Sequence, residues 1–271
     1  IVVHVTSGLS ALVFAVVLGK RLGYPREKTV PHNLTMTLLG AGLLWFGWFG
    51  FNGGSALAAD GIAVLALVNS QIAAAAGAIT WMAIDLKRWK RGSSLGFASG
   101  FVAALATITP TAGYISPVSA IIVGFAAGIL CYCGVLLKEH FGYDDSLDAF
   151  GVHGVGGIAG SLLLGVFAQK AWNAAGADGL LAHNARFLGV QLVAVLATTA
   201  YSVLVTWGLL KVLDATVGLR VKSDIEREGL DVNLHGEAGY AIGASGMGHS
   251  VPIGEQDEFE TAASVLGTSQ A

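Results

Sequence analysis

The hydrophobic residues of this chain fall into long, nearly uninterrupted stretches that are separated by short polar segments. A helix needs about 20 apolar residues to cross the ~30 Å hydrocarbon core of a membrane, and most stretches approach or exceed that length. The stretches are residues 1–19, 34–51, 61–84, 94–109 (the shortest), 117–137, 150–168 and 187–213. The pattern therefore predicts an all-α polytopic membrane protein with seven transmembrane helices, in a transmembrane domain over residues 1–213.

The composition agrees with a membrane location. Hydrophobic residues make up 54% of the chain and charged residues 12%, whereas an ordinary soluble domain has roughly 25% charged residues. Many of the 38 glycines fall inside the predicted helices, where small residues let helix backbones approach closely in lipid. Cys131 and Cys133 lie on different faces of one predicted helix, so we interpret them as packing residues and not as a disulfide.

The positive charges predict how the chain crosses the membrane. Thirteen of the 15 Lys and Arg residues follow the first, third, fifth and seventh predicted helices, and only Lys170 and Arg186 lie on the other side. Cytoplasmic loops carry the excess of Lys and Arg, so we expect the chain to start outside and end in the cytoplasm. The expected location is the cell (inner) membrane.

Two of the predicted helices contain a histidine in the same local pattern. Val-His-x-x-x-Gly occurs around His4 in the first helix and around His153 in the sixth. The second copy lies five helices after the first, an odd number, so the two helices run in opposite directions, as in an inverted-topology repeat with a site near the membrane midplane. An ionisable side chain inside a span is costly and marks a functional site by default. We therefore expect the two rings to form a pair.

Few other polar groups remain inside the predicted helices, and this limits which ligands and reactions the helices can support. A metal ion would need oxygen ligands or further ligands beside a His–His pair, and the spans offer neither. We therefore predict no metal and no cofactor. No nucleophile–base arrangement occurs and no loop is long enough for a soluble catalytic domain, so an enzyme is not expected. Neutral imidazoles in an apolar lumen suit a small polar neutral solute, or a proton relay beside one.

Residues 45–55 form a segment rich in aromatic residues and glycine at the outer end of the second predicted helix. Aromatic faces attract cations by about 0.5–2 kcal/mol each. Together with the Ser55 hydroxyl, such rings would select a small monovalent cation at an outer vestibule. The alternative is an aromatic belt at the membrane interface.

Three segments carry a resemblance to a known family. They are Trp-Phe-Gly-Phe-Asn-Gly-Gly-Ser at 48–55, Asp-Ala-Phe-Gly-Val-His-Gly-Val-Gly-Gly at 148–157, and a motif-rich tail at 218–237. The segments resemble signatures of the ammonium transporter family (Amt/Mep/Rh), and the tail resembles that of the bacterial Amt branch. The similarity extends from Ile1 to about Ala241.

The resemblance implies a homotrimer of eleven-helix inverted-repeat subunits, each with a narrow hydrophobic pore. This chain would cover the fifth to eleventh helices, and an outside start agrees with an even number of preceding helices. The second gating phenylalanine, a vestibule tryptophan and the aspartate that shapes the outer site belong to the first half of the family's chain. Those residues cannot be assigned here, so we do not expect this chain alone to transport.

The resemblance also implies roles for five residues of the pore. His4 and His153 resemble the twin pore histidines, which are hydrogen-bonded ring to ring. Ser55 resembles the serine of the outer ammonium site, and Trp48 resembles a tryptophan that lines the lumen. Phe51 resembles one of two stacked phenylalanines that gate the pore beneath that site.

At the inner mouth, the resemblance points to one acidic residue. Asp148 resembles the acidic residue near the inner end of the tenth helix of the family, with Ser99 nearby. The alternative for Asp148 is helix N-capping, because aspartate is a preferred N-cap residue.

The C-terminal part divides into two expected segments. Residues 214–240 are charged and are expected to be ordered against the cytoplasmic loops, whereas 241–271 are rich in Gly, Ser and acidic residues and are expected to be disordered. By resemblance the first segment couples neighbouring subunits and forms a face for a PII-class nitrogen-regulatory protein. The alternative is a solvated tail without a partner. The residues that match the family tail are Gly218, Arg220, Glu226, Gly229, Asp231, His235, Gly236 and Glu237.

The expected function is channel-like ammonium transport in nitrogen metabolism, with ammonium or methylammonium as substrate. Ammonium would be recruited at the outer vestibule and deprotonated, and ammonia would cross past the histidines. The expected partners are the lipid bilayer, identical subunits and a PII-class protein, and no nucleic acid. Two alternatives remain: an ammonium sensor that signals through its tail, and an inactive truncated fragment of the transporter.

Overall fold

The computed structural model of this chain describes residues 1–27 and 30–240, and these residues form helices and turns without a β-strand. Every predicted span is an apolar helix: α1 is His4–Leu18, α2 Leu34–Gly54, α3 Gly61–Trp89, α4 Ser94–Ile108, α5 Pro117–Phe141, α6 Phe150–Phe167 and α7 Ala185–Thr216. The five helices other than α1 and α4 are long and apolar enough to cross a membrane. The predicted all-α membrane architecture is confirmed, and α4, the shortest predicted span, has 15 residues, as does α1.

Local capping residues decide where several of these helices begin and end. The side chains of Asn33, Asp60 and Ser116 accept hydrogen bonds from backbone N–H groups in the first turns of α2, α3 and α5. Those N–H groups have no partner within the helix, so each cap stabilises its helix start. Pro117 at the start of α5 fits because its missing N–H is not needed there. Gly142, in a left-handed conformation, closes the other end of α5.

Helix α3 packs closely against α4 and α5 through small residues. A Cβ atom added at Gly77 would lie 2.4 Å from the Cβ of Ala104 in α4, and one added at Gly124 in α5 would lie 2.5 Å from the carbonyl oxygen of Ala73. Neither position has room for a side chain. Close approach of this kind holds helices together in lipid, where burial of apolar surface gives little driving force.

The two cysteines lie on opposite sides of α5. Cys131 is buried and Cys133 is exposed, and both are free thiols. Cys131 packs in the core of the bundle, as interpreted from the sequence, whereas Cys133 is exposed and does not.

Polar contacts join neighbouring loops at each end of the helix bundle. At one end, Arg21 after α1 forms an ion pair with Asp144 after α5, at 2.7 Å. At the other end, the Gln169 amide after α6 donates to the Tyr114 carbonyl before α5, at 3.0 Å. Loops that the charge pattern assigns to the same side are therefore in contact.

The C-terminal region begins slightly later than predicted. Helix α7 runs to Thr216, three residues beyond the predicted end of the transmembrane domain at 213. A short helix α8, Ser223–Glu228, and a π-helical turn, Asp231–His235, follow it. The segment 241–271, predicted to be disordered, lies outside the described residues.

Candidate functional site

The two Val-His-x-x-x-Gly motifs pack directly against each other. A Cβ atom at Gly8 in α1 would lie 2.0 Å from the backbone nitrogen of Gly154, and one at Gly157 in α6 would lie 2.9 Å from the Cβ of His4. The glycine of each motif therefore makes room for the histidine region of the other. This reciprocal contact explains why both copies have glycine four residues after histidine.

The contact brings the two imidazoles together. The Nδ1 atoms of His4 and His153 are 3.2 Å apart, and the ring planes differ by 13°. A hydrogen bond of this kind requires one Nδ1 to donate and the other to accept. His4 is buried, and its Nε2 atom has no hydrogen-bond partner among the residues that the structure describes. A buried ring nitrogen without a partner is unusual in a protein interior, so His4 Nε2 is a candidate contact for a small solute.

The local backbone also distinguishes the two histidines. His4 is the first residue of α1, whereas His153 lies in the π-helical turn Phe150–Gly154 at the start of α6. Such turns are rare and occur frequently at functional sites. The hydrophobic pattern of the sequence does not indicate this turn.

Two aromatic residues of α2 cover His4. The Trp48 ring is nearly parallel to the imidazole, with centroids 5.3 Å apart, and the Phe51 ring meets it edge-on at 6.1 Å. The indole N–H of Trp48 donates to Thr109 Oγ1 at 2.9 Å. Trp48 is buried, so its position does not fit an aromatic belt at the membrane surface. Thr109, which sequence reasoning did not identify, holds the indole in place.

The end of α2 carries Ser55 and is anchored by a second residue that sequence reasoning did not identify. Ser55 follows α2 as its C-cap and its hydroxyl donates to the Phe51 carbonyl at 2.7 Å. Asn52 is buried and donates through Nδ2 to Ser70 Oγ in α3, at 2.7 Å. The last turn of α2, with Phe51 on it, is therefore tied to α3. In the sequence, the signal for this anchoring role was the polar residue Asn52 inside an apolar, aromatic segment, because a buried polar group needs a hydrogen-bond partner.

Asp148 does not cap α6, so that alternative is wrong. The capping residue is Asp145, whose two carboxylate oxygens accept from the backbone N–H groups of Ala149 and Phe150, at 3.1 and 2.8 Å. Asp148 instead has a left-handed backbone, with φ of +58°, and forms an ion pair with Lys138. The path of the loop places the carboxylate of Asp145, and not that of Asp148, within reach of the first N–H groups of α6.

The two residues expected at the inner mouth, Ser99 and Asp148, share no hydrogen bond within the described part of the chain. Ser99 lies half-buried on α4. Burial raises the pKa of the Asp148 carboxyl, although its ion pair with Lys138 opposes that change.

Two residues that form an ion pair within the tail attach it to the end of α1 and to the loop that follows. Arg220 contacts Glu226 at 2.8 Å and donates to the carbonyl of Leu18 at 2.9 Å. The Glu226 carboxylate accepts from the Leu22 amide at 2.8 Å. The Leu22 amide and then Arg220 lower the pKa of Glu226. These two members of the predicted tail motif therefore dock the tail against the helical bundle.

The other matching tail residues shape its turns. Gly218, Gly229 and Gly236 all have positive φ, of +77°, +114° and +66°, a conformation that side chains disfavour. Asp231 and His235 are the first and last residues of the π-helical turn, and the Glu237 amide donates back to the Asp231 carbonyl at 3.2 Å. Their observed contacts are thus within the tail.

A comparison with known protein families identifies the chain. The family described as Ammonium Transporter Family matches residues 1–240. The chain belongs to the ammonium transporter family. It is 46% identical over 240 residues to the ammonium transporter of Bacillus subtilis and 48% identical over 239 residues to the ammonium transporter Amt1 of Archaeoglobus fulgidus. These matches cover 88% of this chain in both cases, and 59% and 60% of the relatives, so the chain spans about three-fifths of their length.

Solved structures show the same fold. The crystal structure of Saccharomyces cerevisiae Mep2 superposes with a TM-score of 0.77 at 40% identity, covering 82% of this chain and 52% of Mep2. A structure described as a sensor Amt protein superposes with a TM-score of 0.76 at 31% identity, covering 86% of this chain and 58% of that protein. The curated relatives are named as transporters and not as enzymes, in agreement with the expectation that the chain is not an enzyme.

Proposed function

We propose that the protein that contains this chain conducts ammonium, or methylammonium, across the inner cell membrane. Trp48 and Ser55 recruit the cation at an outer vestibule, and Phe51 gates the passage beneath it. Ammonium loses a proton there, which is either released to the outer solution or passed along the hydrogen-bonded pair of His4 and His153, and neutral ammonia passes that pair. The observation that carries the proposal is the contact of two imidazoles from oppositely directed helices beneath the aromatic residues of α2.

The physical reason for deprotonation is the cost of a charge in an apolar passage. Moving an ammonium ion through hydrocarbon costs at least several kcal/mol, and a neutral ammonia molecule avoids that cost. Ammonia donates and accepts hydrogen bonds, and the hydrogen-bonded imidazole pair offers both a donor and an acceptor. The unpaired Nε2 of His4 supports a direct contact with the solute.

The decisive experiment replaces each histidine in the full-length protein. We expect His4→Ala or His153→Ala to change ammonium conductance or its selectivity over potassium, because each removes one half of the hydrogen-bonded pair. Uptake of labelled methylammonium in cells, and currents in the presence of potassium, measure the two effects. Unchanged uptake together with unchanged selectivity in both variants would exclude the proton relay.

The proposed topology places the tail in the cytoplasm and the subunits in a homotrimer. The loop after α1 is one of the basic loops that the charge pattern assigns to the cytoplasm. The tail lies against this loop through Arg220 and Glu226, which supports a cytoplasmic tail. The same face is proposed to bind a PII-class nitrogen-regulatory protein. Labelling of a cysteine introduced at Ser223 in intact and in opened cells tests the orientation, and pull-down with a PII-class protein tests the partner.

A second candidate function is ammonium sensing. Similarity to a protein described as a sensor Amt protein favours it, as does the attachment of the tail to the loop after α1. Uptake measured in a strain that lacks other ammonium carriers separates the two functions, because a sensor without conductance would not restore growth on low ammonium.

A further inference from the structure

The last turn of α3 and the two residues after it carry four positive charges without a counter-ion among the described residues. Residues 87–91, Lys-Arg-Trp-Lys-Arg, are all exposed, and this segment is called the basic turn. None of its cations forms an ion pair within the described part of the chain. The nearest acidic residue in sequence, Asp85, is buried. The basic turn therefore presents its charge outward.

Hydrogen bonds on both sides hold the basic turn in one conformation. Lys90 has a left-handed backbone, with φ of +61°, and its amide donates to the Leu86 carbonyl at 3.1 Å. On the other side, the hydroxyls of Ser93 and Tyr132 both donate to the Asp85 carboxylate, at 3.2 and 3.3 Å. Ser93 also caps α4. A fixed turn loses little conformational freedom when it binds a ligand, which favours affinity.

Apolar side chains are exposed beside the charges. Trp89 is 59% exposed and Leu86 is 49% exposed, and the Arg88 guanidinium lies 5.0 Å from the centre of the Trp89 ring. These residues end α3, a 29-residue apolar helix, so they lie where the hydrocarbon meets the headgroups. Tryptophan is enriched at that level of the membrane. A ligand that satisfies both features has an anionic group and an apolar body.

We propose that the basic turn binds the phosphate headgroup of an anionic phospholipid, with Trp89 beside its acyl chains. The charges match the phosphate, and the position at the end of α3 supplies the acyl chains from the same bilayer leaflet. The proposal goes beyond ammonium transport and does not depend on it. Each Lys or Arg near an anionic membrane surface contributes about fivefold to binding.

The test removes two charges from the full-length protein in detergent. Native mass spectrometry counts bound phosphatidylglycerol and phosphatidylcholine for the wild type and for Lys87→Gln/Arg91→Gln. We expect the double variant to lose phosphatidylglycerol affinity by about 25-fold, with phosphatidylcholine affinity unchanged. The matched control, Lys222→Gln/Arg227→Gln, removes two exposed charges from the tail at the same end of the bundle and is expected to bind like the wild type. Equal losses in both variants would overturn the proposal, because net charge alone would then explain binding.

Two further measurements separate lipid from other anions. Quenching of tryptophan fluorescence by phosphatidylglycerol with brominated acyl chains is expected to decrease in Trp89→Leu and to persist in Trp172→Leu, which changes an exposed tryptophan in another loop. Equal quenching in the two variants contradicts the placement of the acyl chains. Competition by glycerol 3-phosphate as effective as by the lipid would assign the turn to a soluble phosphate. Full lipid binding by Lys87→Gln/Arg91→Gln, with loss of an acidic protein partner, would assign it to that protein.

Discussion

Alanine in place of Gly8 tests whether the backbone contact between the two histidine motifs sets the separation of the imidazoles. The new methyl group would lie 2.0 Å from the Gly154 nitrogen and 2.2 Å from its Cα. An ordinary contact is at least 3.4 Å, so α1 and α6 would have to separate by about 1.4 Å. The neighbouring atoms belong to the backbone and have no rotamer to change.

A separation of that size has two consequences. The Nδ1 atoms, now 3.2 Å apart, would move beyond hydrogen-bond distance. Overpacking in a tight interface costs about 1–3 kcal/mol, and a lost buried hydrogen bond costs about 1 kcal/mol more. We therefore expect Gly8→Ala in the full-length protein to reach the membrane with reduced thermal stability and to lose most methylammonium uptake.

Two controls distinguish this effect from general damage. Gly208→Ala adds a methyl group in α7 where none of the described residues lies within 4 Å, so uptake is expected to stay at the wild-type level. Gly77→Ala creates a clash of 2.4 Å with Ala104 between other helices, and is expected to lower stability without changing selectivity over potassium. Wild-type uptake and selectivity in Gly8→Ala would refute the reasoning.

Three further substitutions test the contacts around the site. Asp145→Ala removes the cap of α6 and is expected to lower the free energy of unfolding by about 1–2 kcal/mol, measured by thermal melting of the full-length protein. Burial would raise the pKa of Asp144, but the hydrogen bonds from Arg21 outweigh it and lower the pKa. The ionised Asp144 carboxylate therefore stabilises the folded protein at neutral pH, and this stabilisation is lost as pH falls below about 4. We expect Asp144→Asn to weaken the dependence of the melting temperature on acid pH. Thr109→Val leaves the Trp48 indole N–H without an acceptor and is expected to cost about 1–3 kcal/mol and to slow uptake.

Each substitution has a matched control. Ser146→Ala changes an exposed residue next to the cap, and Asp224→Asn neutralises an exposed carboxylate on α8. Thr216→Val removes an exposed hydroxyl that bonds only to its own helix. The prediction for the cap is contradicted if Asp145→Ala and Ser146→Ala melt at the same temperature. The prediction for Asp144 is contradicted if Asp144→Asn and the wild type show the same acid dependence of melting. Equal uptake by Thr109→Val and Thr216→Val contradicts the third prediction.

The helices were predictable because their signal is local. Transfer from water into hydrocarbon acts on each residue of a span, so length and apolar content alone located all seven helices. The end of α7 was placed three residues early because Asp214 interrupts the apolar run, whereas the helical hydrogen bonds continue to Thr216. A charge at the membrane boundary does not end a helix.

The site was predictable only in part. The repeated motif identified His4 and His153 as a pair, because a histidine in an apolar span is unusual wherever it occurs. The partners of the neighbouring side chains were not predictable. Thr109 is one of several threonines in apolar surroundings, and its role appears only when α4 brings it to the Trp48 indole. Asp145 and Asp148 are both suitable caps by residue type, and the path of the loop selects Asp145.

The amino-acid sequence by itself determined the number and approximate positions of the apolar helices, the distribution of charge between the two ends and the identity of the two histidines. These properties follow from the solvation of each segment and need no knowledge of its neighbours. Only the tertiary structure decided the 3.2 Å contact between the imidazoles, the packing of the α2 aromatic rings against His4 and the attachment of the tail to the end of α1. Those features depend on how closely two backbones approach, and that distance is set by packing between residues far apart in the chain.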